Sequence, residues 1–113
     1  MNEQTVFTNI DTTTQEGRKA LWTLKNARSA IGMAEAAGKH IKIAQYVIFD
    51  RETDTGTTRV IMLKADDGAV YATSSVSFIS GVVSYIEAEF DLDEVTVVQA
   101  TSKNGRKYLL PEF

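Results

Sequence analysis

Apolar and polar residues alternate most regularly between Ile41 and Asp50. Ile41, Ile43, Val47 and Phe49 fall on one face of an extended chain there, and Lys42, Tyr46 and Ile48 on the other. The pattern predicts a strand whose wetter face carries a cation beside an aromatic ring. Thr58 to Lys64 predicts the next strand, Asp66-Asp67-Gly68 a tight turn, and Ala69 to Thr73 a short continuation bearing Tyr71. The period then changes: Val76, Ile79, Val83, Ile86 and Phe90 recur at three- and four-residue spacing, the core stripe of a helix with Ser74 as its N-cap. Glu94 to Thr101 returns to β, Ser102-Lys103-Asn104-Gly105 contains an Asn-Gly hairpin signal, and Arg106 to Leu110 forms a closing strand. Upstream, Arg18 to Lys25 sets Ala20, Trp22 and Leu24 against Lys19, Leu21, Thr23 and Lys25, which reads as a first strand. Asn26 to Gly38 is rich in alanine and glycine and reads as a connection with room for one helical turn. Residues 1–16, polar and threonine-rich, read as an extended N-terminal arm.

The expected fold is therefore mainly β, in the order β-β-β-α-β-β with a hairpin extension on the third strand. One helix between the third and fourth strands is the plan of the OB-fold, a small partly open barrel. Ferredoxin-like domains need two crossover helices and SH3-like barrels need none. The expected organisation is an arm over 1–16 and one OB-like domain over 17–113.

Composition narrows the chemistry. A chain of 113 residues, 43% hydrophobic and 24% charged, suits one core. With no cysteine and one histidine, a disulfide framework, a thiolate zinc site, a cysteine nucleophile and a multi-histidine metal centre are all excluded. The stretch from Phe78 to Ile86 is broken by Ser80, Gly81 and Ser84 and is too short to span a bilayer, and the first five residues lack the pattern of a secretory signal. A soluble intracellular protein without a membrane partner is the expectation. The net charge of −3 is segregated: residues 18–42 hold six cations against Glu35 alone, whereas Glu87, Glu89, Asp91, Asp93 and Glu94 form an acidic run. Such segregation allows a basic groove on an acidic molecule.

Catalytic and metal signatures fail. Asp50, Glu52 and Asp54 start like a calcium loop, but Thr55 stands where the loop needs glycine and Ile61 where it needs a carboxylate. Asp66 and Asp67 read as turn formers, and His40 has no partner in sequence. No phosphate loop or nucleophile elbow is present, so no enzyme, cofactor or metal is expected. What remains is aromatic rings beside cations. Tyr46 with Lys42, Tyr71, and Tyr108 beside Arg106 form a candidate platform for single strands, with Lys19, Lys25 and Lys107 adding counter-charge. Trp22 reads either as core or as a contact. Phe49, Phe78 and Phe90 read as core. On this reading, replacing Tyr46 and Tyr71 together by alanine weakens binding without unfolding the domain.

Three runs carry a resemblance: Ile43-Ala44-Gln45-Tyr46, Ala65-Asp66-Asp67-Gly68-Ala69-Val70-Tyr71, and Val97 to Gly105; a weaker one is Ile10 to Gly17. In the same order, they resemble segments of the single-stranded DNA-binding proteins of small Bacillus phages with protein-primed replication. The resemblance implies a sequence-independent protein that coats single-stranded DNA in the cytoplasm of the infected host, alone or as an oligomer and alongside phage or host replication proteins. It also implies that Tyr46 and Tyr71 are strand contacts. A further family tyrosine between them has no counterpart here, since Val47 to Val70 contains only Phe49 as an aromatic; Trp22 or Tyr108 is the candidate replacement. The competing reading is a non-enzymatic interaction module or host-factor inhibitor, in which the acidic run Glu87 to Glu94 meets a basic partner.

Overall fold

The structure is a computed structural model and describes residues 3–113. Its frame is set by one long strand, β3 (His40–Thr53), whose run of Ile, Val and Phe suits a strand buried on both faces. β4 (Gly56–Ala65) pairs antiparallel with it along one edge. The other edge is shared between β6 (Glu94–Thr101), which pairs with residues 40–42, and β1 (Glu3–Thr8), which pairs with residues 47–51. β5 (Val70–Thr73) pairs with β4, β7 (Lys107–Glu112) pairs with β6, and the two-residue β2 (Ile31–Gly32) adds in parallel to β5. The sheet curls into an open, OB-like half-barrel in which β3, β4 and β5 form a meander, α2 (Val76–Glu87) follows, and β6 and β7 complete the plan.

A bulge decides which side chains enter the core. Ile43 pairs with Ala65 but Gln45 pairs with Lys64, so Ala44 is an extra residue in β3. Asn9 ties down the groups the bulge leaves over, donating from Nδ2 to the Ala44 carbonyl at 3.1 Å and accepting from the Tyr46 N–H at 2.9 Å. Parity shifts across it. Ile41 and Ile43 share the inner core with Tyr46 and Ile48, beside Phe78, Val82 and Val97, whereas Val47 and Phe49 lie with Met62 in a second cluster on the outer face. The face assignment from strict alternation is thus overturned, and Lys42 and Tyr46 are on opposite sides.

The predicted first strand is a helix. α1 (Gln15–Lys25) is capped by Thr14, whose Oγ1 accepts from Gly17 N at 2.9 Å, and Leu24, Leu21 and Ala20 turn toward Val47, Phe49 and Met62. The alternation of Ala20, Trp22 and Leu24 misleads because Trp22 points to solvent while Leu24 is buried. Residues 3–8 of the expected arm are extended, but they belong to the sheet as β1. The connection over 26–38 contains β2 and a 3-10 turn over Met33–Ala36. The third strand of the OB plan is β5, expected only as a hairpin extension. In α2 the cap is Ser75 rather than Ser74, and the buried face is Phe78, Ile79 and Val82; Val76 and Phe90, expected in the core, are exposed.

Two glycines are fixed by close approach. Gly81 lets α2 lie against β7, for a Cβ there would stand 2.6 Å from Pro111 Cγ. At Gly17 a Cβ would overlap the carbonyl oxygen of Asp11, whose carboxylate is hydrogen-bonded by Thr13 N and Oγ1 at 2.9 and 2.6 Å. Those two bonds hold the Asp11 carboxyl below its ordinary pKa, the hydroxyl bond contributing most. Glycine to alanine inside a helix ordinarily gains about 1 kcal/mol, but forced overlap with backbone costs about 1–3 kcal/mol. Gly17→Ala is expected to lower the urea midpoint; an increase would show that the turn at Asp11 yields freely.

Candidate nucleic-acid interface

α1 has two faces of opposite character. With Leu21 and Leu24 against the sheet, Arg18, Lys19 and Trp22 lie on the other side, where Trp22 follows Arg18 by four residues and Lys19 by three. Trp22 is 67% exposed. An exposed indole beside cations offers an open face on which a base can stack. Among the described residues the ion pairs are His40–Glu94, Arg51–Glu3 and Arg59–Asp50, so the cations of α1 and the following Arg28 have no acidic partner. Arg18 donates to the Thr12 carbonyl at 3.2 Å, which steadies it beside the helix start. Lys25 turns to the rim, donating to Thr5 Oγ1 at 2.7 Å with its ammonium 5.2 Å from the Phe49 ring centre. The Arg51 guanidinium lies at the same 5.2 Å from that ring.

The other predicted contacts separate into three places. Tyr46 and Tyr71, 8% and 4% exposed, are core side chains and as they stand offer no open ring face to a base. Lys39 covers Tyr71, donating to its hydroxyl at 3.0 Å with the ammonium 5.6 Å from the ring centre. That hydrogen bond is the main cause of the raised Lys39 pKa. No local signal marks Lys39 in the sequence, because its partner is 32 residues away. Lys42 is exposed on β3, opposite Glu94 in register, at the β3–β6 edge away from α1. Arg106, Lys107 and Tyr108 are brought together on the β6–β7 hairpin, with Tyr108 opposite Ala100. α1 packs on β3 and β4, whereas the hairpin packs on α2 and β3, so these are two basic patches rather than one.

Two concave sites lie elsewhere. A groove of about 840 Å³ runs between α2 and the start of β4, lined by Thr57, Ser80, Ser84 and the exposed Val76. Its cation, Arg59, is held by Asp50 through two bonds of 2.8 and 3.1 Å, which lower the Asp50 pKa and leave little charge for a phosphate. A smaller cavity of about 390 Å³ opens beside Phe90, Asp91 and Asp93, with Tyr46 in its wall. Above it, Tyr85 stacks on Phe113 at 3.8 Å and on Phe90 at 4.9 Å. The acids around this stack would repel a phosphodiester backbone. Aromatic rings and unpaired cations therefore coincide on α1 and on the hairpin tip, and on α1 the ring is the more open.

The sequence profile described as Phage Single-stranded DNA-binding protein matches residues 1–111. The chain belongs to that family. No curated protein and no solved structure matches it. In this phage single-stranded DNA-binding protein the basic, aromatic faces have the chemistry that suits a polyanion with unstacked bases. No helix among the described residues is long and apolar enough to cross a membrane, and no three of their His, Asp or Glu side chains are grouped to hold a metal ion.

Proposed function

We propose that this phage protein coats and protects single-stranded DNA exposed during replication in the host cytoplasm, without sequence preference and without catalysis. The strand crosses the outward face of α1, where Trp22 stacks on a base and Arg18, Lys19 and Arg28 neutralise phosphates. The observation that carries the reading is Trp22, exposed among cations that no acid of the described residues pairs. Stacking is tolerant of sequence because every base has a π face, which suits a coating protein. Tyr46 and Tyr71 then serve as the core beneath the binding surface rather than as the surface.

Counterion release supplies the test. Three to four neutralised phosphates on a single strand give a slope of about −2 to −3 in log K against log salt, so a fourfold rise in salt cuts affinity by about 20- to 50-fold. Fluorescence anisotropy of a labelled oligo-dT, at two salt concentrations and with duplex DNA as competitor, is expected to show this fall and little competition. Equal competition by duplex, or an affinity indifferent to salt, would refute the α1 platform.

A further inference from the structure

The cavity beside Tyr46 has the chemistry of a socket for a cation on an apolar stem. Ile86, Phe90 and Leu92 line it together with Asp91 and Asp93, both exposed. Tyr46 is more than nine-tenths buried and lines the same cavity; its hydroxyl is bonded to no described residue and stays accessible to solvent. Burial and the nearby Asp91 both raise its pKa, so the phenol remains a neutral hydroxyl. An ammonium or guanidinium entering here would lay its methylenes on apolar walls and bring its charge to two carboxylates and a free hydroxyl oxygen.

The chain itself holds the matching group at the far end of the same hairpin. Lys103, Arg106 and Lys107 surround a turn closed by Gly105 at φ 79°; all are exposed, and none is ion-paired among the described residues. Asp93 precedes β6 and Lys103 follows it, and β6 spans about 25 Å at the usual rise of a strand. No side chain bridges that length, so tip and socket of one molecule cannot meet. We propose that the tip of the β6–β7 hairpin of one copy inserts a cationic side chain into the Tyr46–Asp91–Asp93 cavity of a second copy. The contact joins unlike surfaces, so it is head-to-tail, and along an extended strand it propagates as a row. This goes beyond the DNA reading in naming a partner, and it rests on that reading only for its setting along a strand.

The test uses the full chain. Asp91→Lys with Asp93→Lys is expected to lower cooperativity on a long oligo-dT by about tenfold, measured by sedimentation velocity and titration, while binding to a short strand that seats one molecule stays within about twofold. Lys103→Glu with Lys107→Glu is expected to break assembly as well. The two reversals combined in one chain restore the parent's net charge and are expected to restore assembly, as is an equimolar mixture of the two reversed proteins, in which each tip meets a complementary socket on the other protein. Tyr46→Phe, which keeps the ring, is expected to weaken assembly without altering the melting temperature. Unchanged assembly in either reversal, or no recovery in the combination, overturns the socket. Sedimentation of the protein alone at low salt separates the two ideas: assembly there with no binding to the short strand would uphold the socket and refute the DNA site.

Discussion

Replacing Trp22 by alanine is expected to lower affinity for a short oligo-dT by on the order of tenfold, with the urea midpoint unchanged. One base stacked on an aromatic face contributes about 1–3 kcal/mol, and each 1.4 kcal/mol is about a factor of ten. The ring is 67% exposed, so its removal opens no cavity and leaves stability within about 0.5 kcal/mol. Trp22 is the one tryptophan in the chain, so its emission reports on the same contact directly. Oligo-dT should quench it in the parent, and Trp22→Phe should retain part of the affinity because a smaller ring still stacks. Arg18 and Lys19 separate the two contributions: their alanine variants should flatten the salt dependence, whereas Trp22→Ala should leave its slope alone. Superimposable binding curves for the parent and Trp22→Ala would move the strand away from α1.

The second large effect falls on stability. Tyr46→Ala combined with Tyr71→Ala is expected to abolish the cooperative unfolding transition at room temperature. Both rings lie in the inner core, and truncating a buried aromatic costs about 3–5 kcal/mol, against about 5–15 kcal/mol for a whole domain. Loss of DNA binding in that variant would therefore say nothing about contacts. Tyr46→Phe and Tyr71→Phe keep the packing, and far-ultraviolet circular dichroism on heating is expected to show both folded. A double alanine variant that melts like the parent would mean that the rings are not in the core.

Much of this fold is visible in the chain because its strands obey local rules. Glu94 to Thr101 was bounded correctly by its valines and the following Asn-Gly turn, and Asp66-Asp67-Gly68 turns the chain where aspartate and glycine favour it, with Ala69 N bonded to Asp67 Oδ1 at 2.9 Å. The misses have physical causes. α1 was hidden because Trp22 happens to alternate with Ala20 and Leu24, and only the outer sheet face, built from residues far along the chain, decides that Leu21 and Leu24 belong inward together. Tyr46 falls on the other face from the one strict alternation predicts, because alternation cannot register one inserted residue. The site was half legible: Lys19, Trp22 and Lys25 were marked by residue type, yet Arg18 joins them only once the segment is wound into a helix.

Ala44 gives β3 one residue of slack. Most substitutions near it alter one contact, and Asn9 would still bind the backbone around it. Losing that one codon would join the Ile43–Ala65 pair directly to the Gln45–Lys64 pair, so Tyr46 and Ile48 would stay inward and Val47 and Phe49 outward, and only the backbone groups that Asn9 binds would change. The strand can therefore shed a residue here without exchanging its two clusters, and what the extra residue supplies is an anchorage for Asn9 rather than sidedness.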